Sequence, residues 1–275
     1  MKLGLIGERL GHSQSPAIHK RIFELLGIDG QYDLIEVERG GVEKALEELK
    51  QQGYAGINVT IPYKRDVMPW LDDVAGEAQV IGAVNTVHMT SRGNFGYNTD
   101  YYGFGRSLDH AGVAVEGKSC VVLGTGGAAR AILKCLADKK AAKLTVVSRK
   151  ITETADFKAF ADSLHIGMIG YGELSDDGGD VLVNCTPVGM YPDVGGAPLP
   201  ERSVSHYEAV VDIIYNPKKT KLLEYGERNG AKIVNGMYML VAQAVGAEEI
   251  WQGRAIDSAV IEAIAAEMER QYERR

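Results

Sequence analysis

The sequence has few cysteines, no long apolar run and no concentrated basic patch, and each shortage excludes a class of protein. Its three cysteines, Cys120, Cys135 and Cys185, lack CxxC spacing and nearby histidine pairs, so we expect buried reduced thiols rather than disulfides or a metal site. No stretch approaches the roughly 20 apolar residues of a membrane span. No run of Lys and Arg exceeds two adjacent residues, as at Lys218-Lys219 and Arg274-Arg275, and the net charge is −7, which argues against nucleic-acid or membrane partners.

The composition and length are typical of an ordinary globular protein. Apolar residues make up 45% and charged residues 24%, and at a typical domain size of roughly 150 residues a chain of 275 residues is expected to form two domains. The first residues, Met1–Gly7, resemble a strand rather than a signal peptide, and together with the reduced thiols they predict a cytoplasmic location. The 33 glycines indicate many tight turns or close ligand contacts.

Short apolar runs alternate with helical stretches along most of the chain, which predicts parallel sheets with helices on both faces. The predicted strands are Lys2–Ile6, Tyr32–Val37, Ala55–Val59, Ala83–Met89, Ser119–Leu123, Leu144–Ser148, Val181–Asn184, Ala209–Asp212 and Lys232–Val234. The predicted helices include Gly41–Gln52, Tyr101–Ala111, Ala128–Lys139, Lys219–Asn229, Val234–Ala247 and Ile256–Arg275. Val84–Met89 and Phe95–Tyr97 predict a hairpin instead, so we expect a mixed first sheet.

A glycine-rich turn follows the strand Ser119–Leu123 and precedes a helix. Gly124 permits a tight turn, Gly126 allows close approach of a pyrophosphate, and Ala129 allows close packing of helix on strand. The amides of the helix N-terminus then face the phosphates. This pattern predicts a dinucleotide site, the alternative being an ordinary tight turn.

The end of the next strand indicates which dinucleotide binds. An NAD site usually presents an acidic residue here, whereas this chain has Ser148, Arg149 and Lys150. Positive donors suit a 2′-phosphate, so we expect NADP. The alternative is an exposed basic turn.

Two serines stand where the first predicted helix begins. Ser15 precedes Pro16 and is expected to be the helix N-cap. Ser13, two residues earlier, would point to the same side if the backbone were extended. The two hydroxyls therefore predict either capping or a cradle for a carboxylate.

Further polar residues follow the predicted strands of the first half. Asn58 and Thr60 share one face by strand periodicity, with Val59 and Ile61 on the other. Lys64 lies just beyond a strand end, where active-site groups gather in α/β folds, although a lone lysine is usually a solvated surface residue. Asp100 has the alternative role of capping the helix that follows.

These segments together closely resemble the shikimate dehydrogenase family over essentially the whole chain. The motifs that carry the resemblance are S-x-S-P at Ser13, N-V-T-x-P-x-K at Asn58, G-A-V-N-T at Gly82, N-T-D-x-x-G-F at Asn98, the Gly124 loop, N-C-T-P-V-G-M at Asn184, Y-N-P at Tyr215 and M-L-V-A-Q at Met239. The resemblance implies NADPH-dependent, reversible reduction of 3-dehydroshikimate to shikimate, a step of chorismate and aromatic amino acid biosynthesis, by a monomer or homodimer.

The pattern of predicted elements places a domain boundary near Asp100, where a helical segment leads to Gly112 and a new strand. We therefore expect a catalytic, substrate-binding domain of residues 1–100 plus 237–275 and a Rossmann-like NADP-binding domain of residues 101–236, with the long C-terminal helices returning to the first lobe. The resemblance implies the site residues. Lys64 and Asp100 match the catalytic pair. The implied substrate-binding residues are Ser13, Ser15, Asn58, Thr60, Asn85, Tyr215 and Gln243. The implied cofactor-binding residues are Gly124, Gly126, Gly127, Ala128, Ala129, Ser148, Arg149, Lys150, Thr186, Gly236 and Met239.

Ketone reduction needs a hydride donor and a proton source at the carbonyl oxygen. Lys64 fits as a proton donor or as an electrostatic clamp on the developing alkoxide, with Asp100 orienting it. The chain departs from the family at the strand-end turn, where N-R-T is common and a basic residue is usual in place of Glu153. Two alternatives follow: a quinate/shikimate dehydrogenase that uses NAD, and a non-catalytic metabolite sensor on the same scaffold.

Overall fold

The computed structural model describes residues 1–11, 13–149, 155–175 and 179–273. Its backbone contacts divide the chain into two compact units. Met1–Tyr102 and Val241–Ile264 form the first, and Gly103–Leu240 with Ala265–Arg275 form the second. The last residues of the chain thus group with the second unit, whereas the sequence led us to expect all residues after 236 in the first lobe. Within the described residues, no helix is long and apolar enough to cross a membrane.

The first unit contains a mixed six-stranded sheet. Its strands are β1 (Lys2–Gly7), β2 (Gln31–Glu36), β3 (Tyr54–Val59), β4 (Asp73–Val74), β5 (Thr86–Thr90) and β6 (Gly93–Tyr97), in the spatial order β2-β1-β3-β5-β6-β4. β1 pairs in parallel with β2 and β3, whereas β5 is antiparallel to both β3 and β6. The predicted hairpin and the mixed sheet are therefore confirmed.

The second unit contains a parallel six-stranded sheet. Its strands are β7 (Ser119–Leu123), β8 (Lys143–Val147), β9 (Gly167–Ile169), β10 (Val181–Asn184), β11 (Ala209–Asp212) and β12 (Lys232–Val234), in the order β12-β11-β10-β7-β8-β9. All the pairs are parallel, as the alternation of strands and helices predicted. The short strands β4 and β9 were missed because two or three residues carry no readable periodicity.

Most of the helices fall close to their predicted positions, whereas the helices Gly76–Ile81 and Ala155–Ser163 were not predicted. They are α1 (Ser15–Leu26), α2 (Val42–Gln51), α3 (Gly76–Ile81), α4 (Thr99–Ala111), α5 (Ala129–Asp138), α6 (Ala155–Ser163), α7 (Lys221–Arg228), α8 (Met237–Gln252) and α9 (Ser258–Glu273). Short 3-10 turns lie at Met68–Trp70, Tyr171–Glu173 and Glu201–Ser203.

The start of α1 corrects one prediction. Ser15 is the first residue of the helix rather than its N-cap, and the cap residue Gln14 is helical (φ −85°, ψ −9°) instead of extended. The Ser13 hydroxyl accepts a hydrogen bond from the Ser15 amide at 3.2 Å. Ser13 thus accepts from the first amide of the helix, whereas Pro16, the second residue of the helix, has no amide to satisfy.

One face of the first sheet packs around Trp251 of α8. Leu3, Phe23 and Ala247 are buried against it, and the indole Nε1 donates to the Val87 carbonyl at 3.0 Å. A Cβ at Gly56 would lie 2.1 Å from that Nε1. Strand β3 therefore needs a glycine at this position so that the indole can lie directly on the sheet.

We expect Gly56→Ala to lower the free energy of unfolding by about 1–3 kcal/mol, the usual range for overpacking a core. Gly76→Ala is the matched control, because nothing lies within 4 Å of the added Cβ. Urea unfolding of both variants measures the effect. Equal stability of the two variants would contradict the proposed close packing of Trp251.

Candidate functional site

Lys64 and Asp100 form an ion pair in the first unit. The Lys64 Nζ donates to Asp100 Oδ2 at 2.6 Å, and the two side chains are 19% and 14% exposed. The pair is thus largely shielded, so its attraction is screened less than that of a surface pair. An ordinary surface lysine is solvated, so this partly buried and paired side chain excludes that interpretation of Lys64.

Local structure frees Asp100 for this pairing. Asp100 is in the first turn of α4, where it was a candidate cap, yet Asn98 provides a capping bond, its Oδ1 accepting from the Tyr101 amide at 3.2 Å. On the lysine side, the Lys64 carbonyl accepts from the Val84 amide at 2.7 Å. Both members of the pair are therefore attached to backbone whose position the sheet and the helix determine.

The buried amides of Asn58 and Asn85 are oriented by their neighbours. Asn58 Nδ2 donates to the Asn85 carbonyl at 3.2 Å and to Thr86 Oγ1 at 3.0 Å, so both its protons are used. Asn85 Oδ1 accepts from the Thr99 amide at 2.7 Å and from the Thr86 hydroxyl at 3.1 Å. Asn58 therefore offers a ligand an acceptor oxygen, whereas Asn85 offers its donor amide group.

Tyr32 of β2 was missed by the sequence analysis. Its hydroxyl donates to Asn58 Oδ1 at 2.7 Å. Burial raises the pKa of this phenol, and a hydrogen bond with Ser15 acts in the opposite direction. The ring stacks on His19 at 4.0 Å. Tyr32 thus connects two of the predicted substrate residues, but a single tyrosine in a strand carries no sequence signal for such a role.

The other predicted substrate residues are distributed more widely. Thr60 lies just after β3, and its amide donates to the Ile6 carbonyl at 3.0 Å. The expected alternation stops there: the chain turns, and Ile61 is 71% exposed instead of packing with Val59. Gln243 is half-buried on α8. Tyr215 belongs to the second unit, where its ring contacts that of Tyr272.

The glycine-rich turn in the second unit fits a dinucleotide pyrophosphate. Gly124 has φ +93°, and a Cβ there would be 2.8 Å from the Thr186 methyl carbon, so only glycine fits. Gly127 faces open space. The N-cap of α5 is Ala128, whose side chain cannot accept a hydrogen bond, so no side chain at this position competes with an anion for the first helix amides, although the Ala129 amide already donates to the Gly126 carbonyl at 3.1 Å. Ala129 is fully buried, as expected for close packing.

The turn after β8 carries the predicted determinants of cofactor choice. Ser148 is buried and Arg149 is exposed, whereas Lys150 lies outside the described residues. Burial raises the pKa of Tyr171, and the charge of Arg149 acts in the opposite direction. No carboxylate among the described residues pairs with Arg149, so its guanidinium can contact a phosphate.

The remaining predicted cofactor residues lie near the ends of β10 and β12. The Thr186 amide donates to Asn184 Oδ1 at 2.9 Å. A Cβ at Gly236 would be 1.9 Å from the Ile213 carbonyl oxygen, so this position also requires glycine. Met239 is buried in the first turns of α8.

The three cysteines are buried free thiols, as predicted. Burial raises the pKa of Cys120 and of Cys135 to about 12. Because the thiolate is the reactive form, neither residue is a nucleophile near neutral pH.

A parallel sheet with this turn at its carboxyl edge, together with a lysine–carboxylate pair among oriented amides, is typical of a dinucleotide-dependent oxidoreductase. Residues 5–87 match the model of the shikimate dehydrogenase substrate binding domain. Shikimate dehydrogenase (NADP(+)) of Clostridium perfringens strain 13 is 48% identical over 98% of both chains. The chain belongs to the shikimate dehydrogenase family.

Solved structures agree with this assignment. The crystal structure of a chorismate mutase/shikimate 5-dehydrogenase fusion protein from Clostridium acetobutylicum has a TM-score of 0.93 and 43% identity, covering 99% of this chain and 98% of that one. Shikimate 5-dehydrogenase from Thermus thermophilus, in complex with NADP(H) and shikimate, has a TM-score of 0.86 and 32% identity, covering 97% of this chain and 99% of that one.

Burial raises the pKa of Asp212, at the end of β11, from 3.8 to about 6, although hydrogen bonds from Thr220, Ile214 and Asn184 oppose the change. The Asp212 carboxyl group therefore binds its proton more tightly in the folded protein than in the unfolded chain. Its contribution to stability is complete below about pH 4 and is lost as the pH rises through about 6.

We expect the free energy of unfolding of the wild type, relative to Asp212→Asn, to fall between about pH 4 and pH 7, by roughly 3 kcal/mol at most. Chemical unfolding of both proteins across this range measures the difference. A difference that is constant with pH would contradict the raised pKa.

Proposed function

We propose that the protein is an NADP-dependent shikimate dehydrogenase that reduces 3-dehydroshikimate reversibly to shikimate. The observation that carries the proposal is the shielded Lys64–Asp100 pair beside the oriented amides of Asn58 and Asn85, in a chain of this family. A metabolite sensor has no need of such a pair. The similar enzyme of Clostridium perfringens is named for NADP(+), which supports the same cofactor here.

Lys64 acts where negative charge develops. NADPH, when bound by the Gly124 turn and Arg149, would supply the hydride that the reduction of a ketone needs. The Lys64 ammonium donates a hydrogen bond to the carbonyl oxygen, and this bond strengthens as the oxygen becomes an alkoxide, which then takes a proton from the ammonium. Asp100, 2.6 Å from Nζ, holds the ammonium in place and accepts from a substrate hydroxyl. Lys64 thus serves the transition state more than the bound substrate.

The neutral polar residues position the ring. Ser13 and Ser15 hold the carboxylate without placing a second cation near Lys64. Asn58 accepts from one ring hydroxyl, because its amide protons are already bonded within the protein. Asn85 donates to another, because its Oδ1 is already bonded. Thr60 and Gln243 of the same unit are further predicted substrate residues, and Tyr215 is a predicted substrate residue of the second unit. A cytoplasmic location and a monomeric or homodimeric state remain predictions from the sequence.

The test of the function is NADP reduction followed by absorbance, with shikimate and with quinate, each also with NAD. We expect the highest kcat/KM for shikimate with NADP. No turnover with any pair would overturn the proposed function. A preference for quinate and NAD would instead favour the quinate/shikimate enzyme that the sequence left open.

We expect Lys64→Ala to lower kcat about 10²- to 10⁴-fold while the KM for shikimate changes little, since the contact matters most in the transition state. Lys44→Ala is the control, because Lys44 is an exposed partner of Glu48 on α2. A near-normal kcat with a raised KM would show that Lys64 only binds substrate.

Arg149→Ala should weaken NADP binding by about 1–3 kcal/mol, the range of a charge-assisted hydrogen bond, and leave NAD binding unchanged. Lys143→Ala, at the opposite end of the same strand, is the matched control. Titration calorimetry measures both cofactors. Equal losses for NADP and NAD would show that Arg149 does not recognise the 2′-phosphate.

A further inference from the structure

Asp212 is a buried carboxylate to which the sequence assigned no role. It ends β11, and Asn184, which ends β10, is its register partner. Asn184 is in turn the register partner of Leu123, the residue before the glycine-rich turn. Asp212 and Asn184 are both fully buried. The carboxylate therefore lies at the edge of the sheet where the predicted cofactor residues follow the strands.

Both oxygens of Asp212 accept hydrogen bonds from separate segments. Oδ1 accepts from Asn184 Nδ2 at 3.0 Å and from the Ile214 amide at 3.1 Å. Oδ2 accepts from the Thr220 hydroxyl at 2.7 Å, and Thr220 is the N-cap of α7. Bonds to a buried charged acceptor are among the stronger ones in proteins, so Asp212 ties these segments together.

The bond to Asn184 determines how Thr186 is held. Because a carboxylate only accepts, Asn184 has to turn its Nδ2 toward Asp212 and its Oδ1 away. That Oδ1 accepts from the Thr186 amide at 2.9 Å and from the Thr186 hydroxyl at 2.7 Å. The Thr186 methyl group lies against Gly124. Without the carboxylate, the Asn184 amide keeps only its bonds to Thr186, which are the two that Oδ1 accepts and a longer one of 3.4 Å from Nδ2 to the Thr186 carbonyl, so Thr186 is held less firmly.

The bond to Ile214 acts on a second segment. The Ile214 carbonyl accepts from the Gly236 amide at 2.9 Å, and Tyr215 is the next residue. Gly236 packs so closely on Ile213 that no side chain fits there. Asp212 thus has a direct bond to the chain that supports Gly236 and carries Tyr215.

We propose that Asp212 is a positioning residue for the nicotinamide half of the NADP site, acting through Asn184 on Thr186 and through Ile214 on Tyr215 and Gly236. The inference rests on the proposed function and on the family resemblance, which implies that Gly236 and Met239 line the nicotinamide. The adenosine half depends on the Gly124 turn and on Arg149. Among the described residues Asp212 makes no direct bond to either, and it reaches the Gly124 turn only through the packing of the Thr186 methyl group.

The experiment compares two ligands on Asp212→Ala. NADP occupies both halves of the site, whereas adenosine 2′,5′-bisphosphate occupies only the adenosine half. Calorimetry measures both affinities, and steady-state assays measure kcat and KM. Asp180→Ala is the matched control, since Asp180 precedes β10 at the opposite edge of the sheet and accepts from the Ser119 amide at 2.7 Å.

We expect Asp212→Ala to weaken NADP about 10- to 100-fold and to lower kcat, because a displaced nicotinamide is poorly oriented for transfer. Its affinity for the bisphosphate should stay within about twofold of the wild type. Asp212→Asn, whose carbonyl oxygen can keep both Oδ1 bonds, should recover most of the loss. Asp180→Ala should leave both affinities and kcat unchanged within about twofold.

Two results would overturn the proposal: NADP affinity and kcat that are unaffected in Asp212→Ala, or an equal loss of both ligands, which would mean that Asp212 maintains the whole unit. If Asp212→Ala does not fold, Asn184→Ala cuts the same connection at its other end and should weaken NADP but not the bisphosphate. A wild type that binds neither NADP nor the bisphosphate would instead refute the proposed function itself.

Discussion

A buried polar group has to find its hydrogen-bond partner inside the protein, and this requirement organises the strand ends of both units. In the first unit, the Thr86 hydroxyl accepts a hydrogen bond from the Asn58 amide group and donates one to Asn85 Oδ1. In the second unit, the Asn184 amide group donates directly to Asp212. Each amide is thereby held in one orientation. A side chain whose donors or acceptors are partly used within the protein can offer a ligand only its remaining hydrogen-bonding groups.

Few of the predicted site residues are charged. In the first unit, the Lys64 ammonium is balanced by Asp100, and the neighbouring Asn58 and Asn85 are neutral. In the second unit, the turn at Gly124 offers backbone amides, and Arg149 is a separate cation. An ammonium next to further cations would lose part of its preference for a developing alkoxide, so the neutral surroundings suit the proposed chemistry.

Secondary structure was largely predictable because burial imposes periodicity on the sequence. Strands such as Val181–Asn184 and Ala209–Asp212 have the predicted bounds, since both are short apolar runs between polar turns. The turn at Gly124 was equally readable, because only glycine fits there. The cap of α1 was not, because Ser15 before Pro16 has the pattern of an N-cap and only the backbone angles at Gln14 show that Ser15 already lies inside the helix.

The sequence by itself determined the class of fold, the family and the residue types that a ketone reduction needs, because these depend on local pattern and on the order of motifs along one chain. Only the tertiary structure decided which of those residues act together. Lys64 meets Asp100 across 36 positions, and Tyr32 reaches Asn58 across 26. Asp212 became notable only once its three donors were known. Such pairings depend on strand order and register, which bring together residues that the sequence keeps apart.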